Sequence, residues 1–438
     1  MNKEKKSSFL GIATTGAALI ALSYFAKPGV ERSYSTAVQY DPVGIVIPFG
    51  DDTFSKRMNG LLTYSEDQEL TCGSYPDDTN DPYLQEQKSL VQEATFDENG
   101  TTAECADQYV GYDYIAHRLE EHIPQEERRP VTLVIMDSGI NAEHEDWCDG
   151  QIDKELSKTF LDSVHNETSP LTDEIGHGTA VAGIAAACTG NGVGIASLGR
   201  GVNIASIKVM FPYGGDGIVN PSDWKEALAY VDKTARTDTG RQFVLNMSFS
   251  GFSYNQEMAD IFEALPENIT VIAGAGNNPY NMPTNSLDYP AGYDRVYAVG
   301  AAVDEASDTL CAFSHYSTAK ERFVAAPGCF DLWGLNNMND GNFPYRDGLS
   351  GTSFSTPNAA GMYSYFLHIF PVLSPADIMQ TIYDTSLPVG QASQGTIDKP
   401  VPAIAPLQAI RALTVKAGYA DILVPSEENR SFLPYLSR

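Results

Sequence analysis

The sequence predicts an α/β domain, a mostly parallel central sheet with helices on both faces, preceded by a small N-terminal extension. Two observations carry this. Residues 131–136, VTLVIM, form an unbroken apolar run of strand length, the mark of a strand buried on both faces. From there to residue 370, strand-like and helix-like segments alternate, the pattern of βαβ units that build a parallel sheet.

The elements follow in order. YVGYDYIAHRLEEHI (109–123) reads as a helix, and the RRP that opens the first strand separates the two. TAVAGIAAAC (179–188) is a helix of small residues that allow close packing. NIASIKVM (203–210) is a strand, and SDWKEALAYVDKTAR (222–236) a helix with a Ser/Asp start. QFVLNMSFS (242–250) is a strand, NQEMADIFEAL (255–265) a helix, ITVIAGAG (269–276) a strand, and DRVYAVGAA (294–302) another. A long apolar helix follows Thr352. Residues 27–105 are polar, acidic and weakly periodic, with one convincing strand in GIVIPF.

The 438 residues suffice for one large domain and a smaller one. A formal charge of −29 favours solubility, repels nucleic acid and anionic membranes, and suits a salty or extracellular setting. Residues 1–26 open with a basic stretch, continue apolar, and offer small residues for cleavage at Ala21-Leu22-Ser23 or Ala26, the pattern of a secretory signal. An uncleaved anchor is the alternative, because residues 9–26 nearly reach spanning length. A secreted, periplasmic or extracellular protein is expected, touching a membrane only if this segment stays attached. Six cysteines agree with an oxidising compartment, and none has zinc spacing. Proximity along the chain suggests Cys72 with Cys105 and Cys311 with Cys329, and Cys188 reads as a small buried hydrophobe.

In α/β sheets functional groups gather past the carboxyl ends of the strands. Three chemical groups stand there or at a helix mouth. Asp137 directly follows VIM, where a carboxylate is costly unless partnered. His177 lies between two glycines at a helix start, which lets the backbone come close to a neighbour and leaves the ring available. In GLSGTSFSTPNAAG (348–361) more hydroxyls cluster than one helix cap needs. Asn277 adds an amide donor past the strand ITVIAGAG. Serine needs an imidazole to take its proton, the imidazole needs a carboxylate to fix its tautomer, and the tetrahedral oxyanion needs donors.

LVIMDSGI, GHGTAVAG, LNMSFSG, AGAGNN and SGTSFSTPNAAG resemble, in order, the signature motifs of the subtilisin-like serine proteases, a likeness running over about residues 107–412. The resemblance implies the family's three-layer fold for residues 106–413 and an exported endopeptidase working through a serine acyl-enzyme. It assigns Ser353 as nucleophile, His177 as general base, Asp137 as the orienting acid and Asn277 as the oxyanion donor. Pro357 is placed in the helix start, where a missing N–H costs little, and Ser350 and Ser355 as caps or packing. Ser248, Phe249, Ser250 and Gly251, with Gly274, Ala275 and Gly276, match the walls of the pocket for the residue before the cut. Ser250 stands where the family usually has glycine, and Ala180 where it often has a second histidine. No cofactor is needed for the chemistry; structural calcium is common in the family, and Asp146 with the 190–194 loop matches one site. Protein or peptide substrates and a monomer are expected. The region 27–105 lies where the family carries a pro-segment, and residues 414–438 match nothing in it. A catalytically silent binding module with the same fold is the alternative. An α/β-hydrolase esterase is disfavoured, because Ser353 lacks a GxSxG elbow and the order is Asp, His, Ser.

Overall fold

A computed structural model describes residues 108–423, apart from 162–168, 214–215, 279, 281–283, 304–307, 330–331, 338–342 and 393–394, together with Asp81, Pro82 and Gln87. The expected signal, the strand in GIVIPF, the pairing of Cys72 with Cys105 and the last fifteen residues lie outside that set.

The helix α1 (Gln108–His122) leads into β1 (Val131–Asp137), followed by the short β2 (Lys158–Thr159), α2 (His177–Ala186) and β3 (Ile204–Lys208). A hairpin, β4 (Met210–Tyr213) and β5 (Asp216–Val219), precedes α3 (Pro221–Thr237), β6 (Gln242–Met247), α4 (Gln256–Glu263) and β7 (Ile269–Gly274). Next come β8 (Thr284–Asn285), β9 (Tyr297–Ala302), β10 (Thr309–Leu310), β11 (His315–Tyr316), β12 (Phe323–Pro327) and the hairpin β13 (Leu332–Leu335) with β14 (Tyr345–Leu349). The chain closes with α5 (Thr352–Ile369), α6 (Pro375–Thr385), β15 (Leu387–Ala392), β16 (Gly395–Ala403) and α7 (Pro406–Lys416). Ten strands form one sheet in the order β10-β15-β16-β12-β9-β7-β6-β1-β3-β2. The run from β16 to β2 is parallel throughout, and β15 turns back antiparallel on β16.

β1 shows why an unbroken apolar run belongs in the middle. All seven of its residues are buried. Leu133 and Ile135 pack with α1, α2 and α5 in one core, while Val134 and Met136 pack with α3 and α4 in the other. Side chains alternate across a strand, so a strand between two helical layers buries both faces and reads as a near-continuous apolar run. The expected three layers are present.

The structure also differs from the reading above. The first small-residue helix ends at Ala186, and Cys188 lies beyond it in a disulfide with Cys148, so it is not a free buried hydrophobe. Cys311 and Cys329 are bonded as expected. The packed core continues past residue 413 through α7 to Ile422, which is buried in the α1 layer. Among the described residues no helix is long and apolar enough to cross a membrane.

Candidate active site

Asp137 ends β1, an interior strand between β6 and β3, opposite Lys208 of β3 and fully buried. One carboxylate oxygen accepts from the Ser138 N–H and from His177 Nδ1, each at 2.8 Å. The other has no hydrogen-bond partner among the described residues.

His177 is the first residue of α2, and the backbone around it explains both flanking glycines. Gly176 caps the helix with φ +84°, a left-handed conformation that favours glycine. A Cβ on Gly178 would stand 2.1 Å from the Gly139 carbonyl, so only glycine lets the helix approach the end of β1 this closely. Asp173, which the sequence reading passed over, holds the turn together. One of its oxygens accepts from Ser138 Oγ and from the Ile175 and Gly176 N–H groups, and the other from the Thr179 N–H and hydroxyl, all within 3.1 Å. Ser138 Oγ in turn accepts from the Gly178 N–H at 2.9 Å. Behind them the buried Lys208 ammonium donates to the Thr172 carbonyl at 3.0 Å and pairs with Glu174.

Burial acts first on the His177 imidazole and pushes it down. Asp137 beside it, by charge and by hydrogen bond, with Asp173 behind it, pushes harder the other way, so its pKa lies above the ordinary histidine value. The Asp137 bond fixes Nδ1 as the protonated nitrogen of the neutral ring and leaves Nε2 as acceptor. Nε2 is buried with no partner among the described residues.

Ser353 is the second residue of α5, after Gly351 with φ +145°, and its side chain is almost wholly buried. Phe354 lays its ring 5.4 Å from the His177 ring, which brings this helix mouth to the end of α2. Thr352 ties the mouth to the strand beside it: its N–H donates to Asn277 Oδ1 at 3.0 Å, and its hydroxyl accepts from the Gly276 N–H at 3.3 Å. With its oxygen so engaged, the Asn277 amide presents its NH2 end as a donor. Ser355 is packing, as expected, its hydroxyl donating to the Thr352 carbonyl at 3.1 Å. Pro357 differs from expectation: it is the sixth residue of the helix and lies beyond the first turn, so its missing N–H deprives the Ser353 carbonyl of its intrahelical partner.

The two expected pocket walls continue the neighbouring strands β6 and β7, which pair in parallel. Phe249 cannot offer its side chain to a ligand, because its ring lies in the core against Trp224 and Phe252. Ser248 is also buried and accepts from Asn246 Nδ2.

Asp146 is buried among a different set of partners. Burial, with Asp81 and Glu145 adding like charge, pushes its carboxyl up to about 8 against the pull of Ile195 and Asn191. Its oxygens accept from the Asn191 amide at 3.1 Å and the Ile195 N–H at 2.9 Å, while Asp81 accepts from the Gly190 and Gly192 N–H groups. Among the described residues no group of three or more acidic, His or Cys side chains forms a metal cluster. The oxygen donors present are the Asp146 and Asp81 carboxylates, each held by N–H groups of the 190–195 loop, and carboxylate oxygen is a ligand type that calcium takes.

A model of the subtilase family matches residues 128–407. Subtilisin E of Bacillus subtilis (strain 168) is 27% identical over 320 residues, covering 68% of this chain and 76% of that protein. The halolysin-like extracellular serine protease Nep of Natrialba magadii is 31% identical over 262 residues, covering 59% of this chain and 44% of its own. Sphericase superposes with a TM-score of 0.52 at 20% identity, over 63% of this chain and 90% of its own. Proteases from Pseudoalteromonas arctica give a TM-score of 0.57 at 19% identity, over 77% of this chain and 100% of theirs. At such identities the superpositions speak for the fold alone. The family match takes in more than half the chain, including the buried aspartate–histidine pair and the serine at the helix mouth: the chain belongs to the subtilase family and is a serine endopeptidase.

Proposed function

We propose that this peptidase is exported and cuts protein or peptide chains with Ser353 as nucleophile, His177 as general base and Asp137 as its orienting acid. The observation that carries the reading is the buried bond from His177 Nδ1 to Asp137 with the opposite ring nitrogen unengaged. Ser353 Oγ attacks the scissile carbonyl carbon and passes its proton to His177 Nε2. The oxyanion is received by the Asn277 amide and by the Ser353 N–H, a first-turn donor without an intrahelical acceptor. His177 then gives its proton to the leaving amine as the C–N bond breaks. Water, deprotonated by the same nitrogen, hydrolyses the ester and frees Ser353.

Two disulfides among the described residues support an oxidising compartment and thus export. A structural calcium ion would be held by Asp146, with Asp81, and would steady the 190–195 loop without entering the reaction.

The test is fluorophosphonate labelling of the folded protein followed by peptide mapping. The adduct is expected on Ser353 and is expected to vanish in His177→Ala. Labelling elsewhere, or none in protein shown to be folded, would sink the assignment.

A further inference from the structure

The two pocket walls have a carboxylate between them. We propose that Asp288 forms the floor of the pocket for the side chain before the cut and selects substrates with arginine or lysine there. This rests on the catalytic reading above. The Asp288 N–H donates to the Ala275 carbonyl at 2.9 Å, which docks the residue on one wall. Its Oδ2 accepts from Ser250 Oγ at 3.2 Å, which docks it on the other. The next residue, Tyr289, bridges to Phe252 and continues that seam. A Cβ on Gly276, next to Asn277, would stand 2.4 Å from Asp288 Oδ2, so the carboxylate lies directly against the backbone beside the proposed oxyanion donor.

The one charged neighbour of this carboxylate among the described residues is a histidine, which can pair with it only when protonated. Among the described residues Asp288 has no lysine or arginine partner. His315 Nδ1 stands 3.5 Å from Oδ1 and makes no hydrogen bond. The Asp288 side chain is 31% exposed, so it is partly stripped of water yet open to a ligand. An apolar side chain entering this pocket would take more water from the carboxylate and return nothing, and an acidic one would be repelled. A guanidinium or ammonium group would supply the missing partner, arginine with two donors aimed at one carboxylate. Ser250, which takes the place of the family's usual glycine, belongs to the same device, because its hydroxyl fixes one carboxylate oxygen and leaves the other for substrate.

The experiment is a series of peptides differing only at the residue before the cut (Arg, Lys, Phe, Leu, Glu), with kcat/KM measured for wild type and Asp288→Asn. Wild type should favour Arg and Lys over Phe and Leu. Asp288→Asn should lower that ratio by roughly 10- to 150-fold, the worth of a hydrogen bond to a charged group. Cut-site mapping of a denatured protein digest by the wild type gives the same answer without a variant. Preference for apolar residues in the wild type, or an equal loss on all five peptides in Asp288→Asn, would overturn the proposal. If Ser353 takes no fluorophosphonate and no peptide is cut, the catalytic reading itself has failed and takes this one with it.

Discussion

Replacing Asp173 by asparagine keeps the shape of the side chain and exchanges one acceptor oxygen for an NH2 group. The oxygen that serves Ser138, Ile175 and Gly176 can be kept, so the loss falls on the Thr179 side. There the backbone N–H and hydroxyl, at 2.8 and 2.7 Å, would face a donor. The hydroxyl can turn away, but the buried N–H cannot, and leaving it unsatisfied costs about 1–3 kcal/mol. The three remaining bonds also lose their charge assistance, which brings the total to about 2–5 kcal/mol. That corresponds to a fall in Tm of roughly 4–10 °C. The midpoint should be measured in a Ser353→Ala background, so that self-digestion does not set it. In the active protein kcat/KM should fall by about 10- to 100-fold, because Asp173 sets the turn that aims His177. A midpoint that moved by less than about 1 °C, with kcat/KM unchanged, would show that the five-donor cage does not anchor this turn.

The remaining predictions concern protons, the oxyanion and the loop around Asp146. His177 must be neutral to accept a proton and its pKa is raised, so activity should climb only as pH rises through a value above about 6.5. In Asp137→Asn that acidic limb should move to lower pH while the plateau falls; a limb that stays in place would remove Asp137 from its orienting role. Asn277→Ala should lower kcat by about 10²–10³ with little change in KM, a magnitude taken from the subtilisin example known for this kind of donor. Equal losses with a fluorophosphonate-silent serine would point to misfolding instead. Asp146 is raised to about 8 from an ordinary value of 3.8, so the folded state holds its proton where the unfolded chain has lost it. Its contribution is therefore present below the ordinary value and lost as pH rises towards about 8. Denaturant midpoints in chelator should decline over that window in wild type and not in Asp146→Asn, and calcium should restore the wild type alone near pH 8.

Much of the fold was legible because its central strands must be apolar on both sides, which singles out VTLVIM without any knowledge of partners. The hairpin of β15 and β16 was not, since LPVGQA and GTIDKPVPA carry the Pro and Gly that usually mark loops. The candidate triad stood out only in combination: a capping aspartate, a structural histidine and capping hydroxyls each have an ordinary explanation, and their joint occurrence at a strand end and two helix starts pointed to chemistry. Asp173 did not: DEIG reads as a solvated turn, and its burial arises only when the end of β1 meets the start of α2. Cys188 reads as a buried hydrophobe because it follows the apolar AAA of an expected helix, whereas that helix ends at Ala186 and Cys188 meets Cys148, 40 residues away. Asp288 is one more loop acid until folding sets it between Ser250 and Gly276.

The contacts of Gln87 and Asp81 bear on where maturation could cut. Gln87 is buried, and its amide both donates to the Ala196 carbonyl and accepts from the Ala196 N–H, pairing with that residue as a strand would. Asp81, six residues before it in the chain, accepts from the Gly190 and Gly192 N–H groups and holds their loop. Cleavage near residue 106 that let Asp81 and Gln87 go would strip the Ala196 backbone of its partner and unfasten the 190–195 loop that donates to Asp146. Cleavage upstream of residue 81 would keep both sets of contacts, so that Asp81 and Gln87 stay fastened to the part of the domain that Cys148 and Cys188 join.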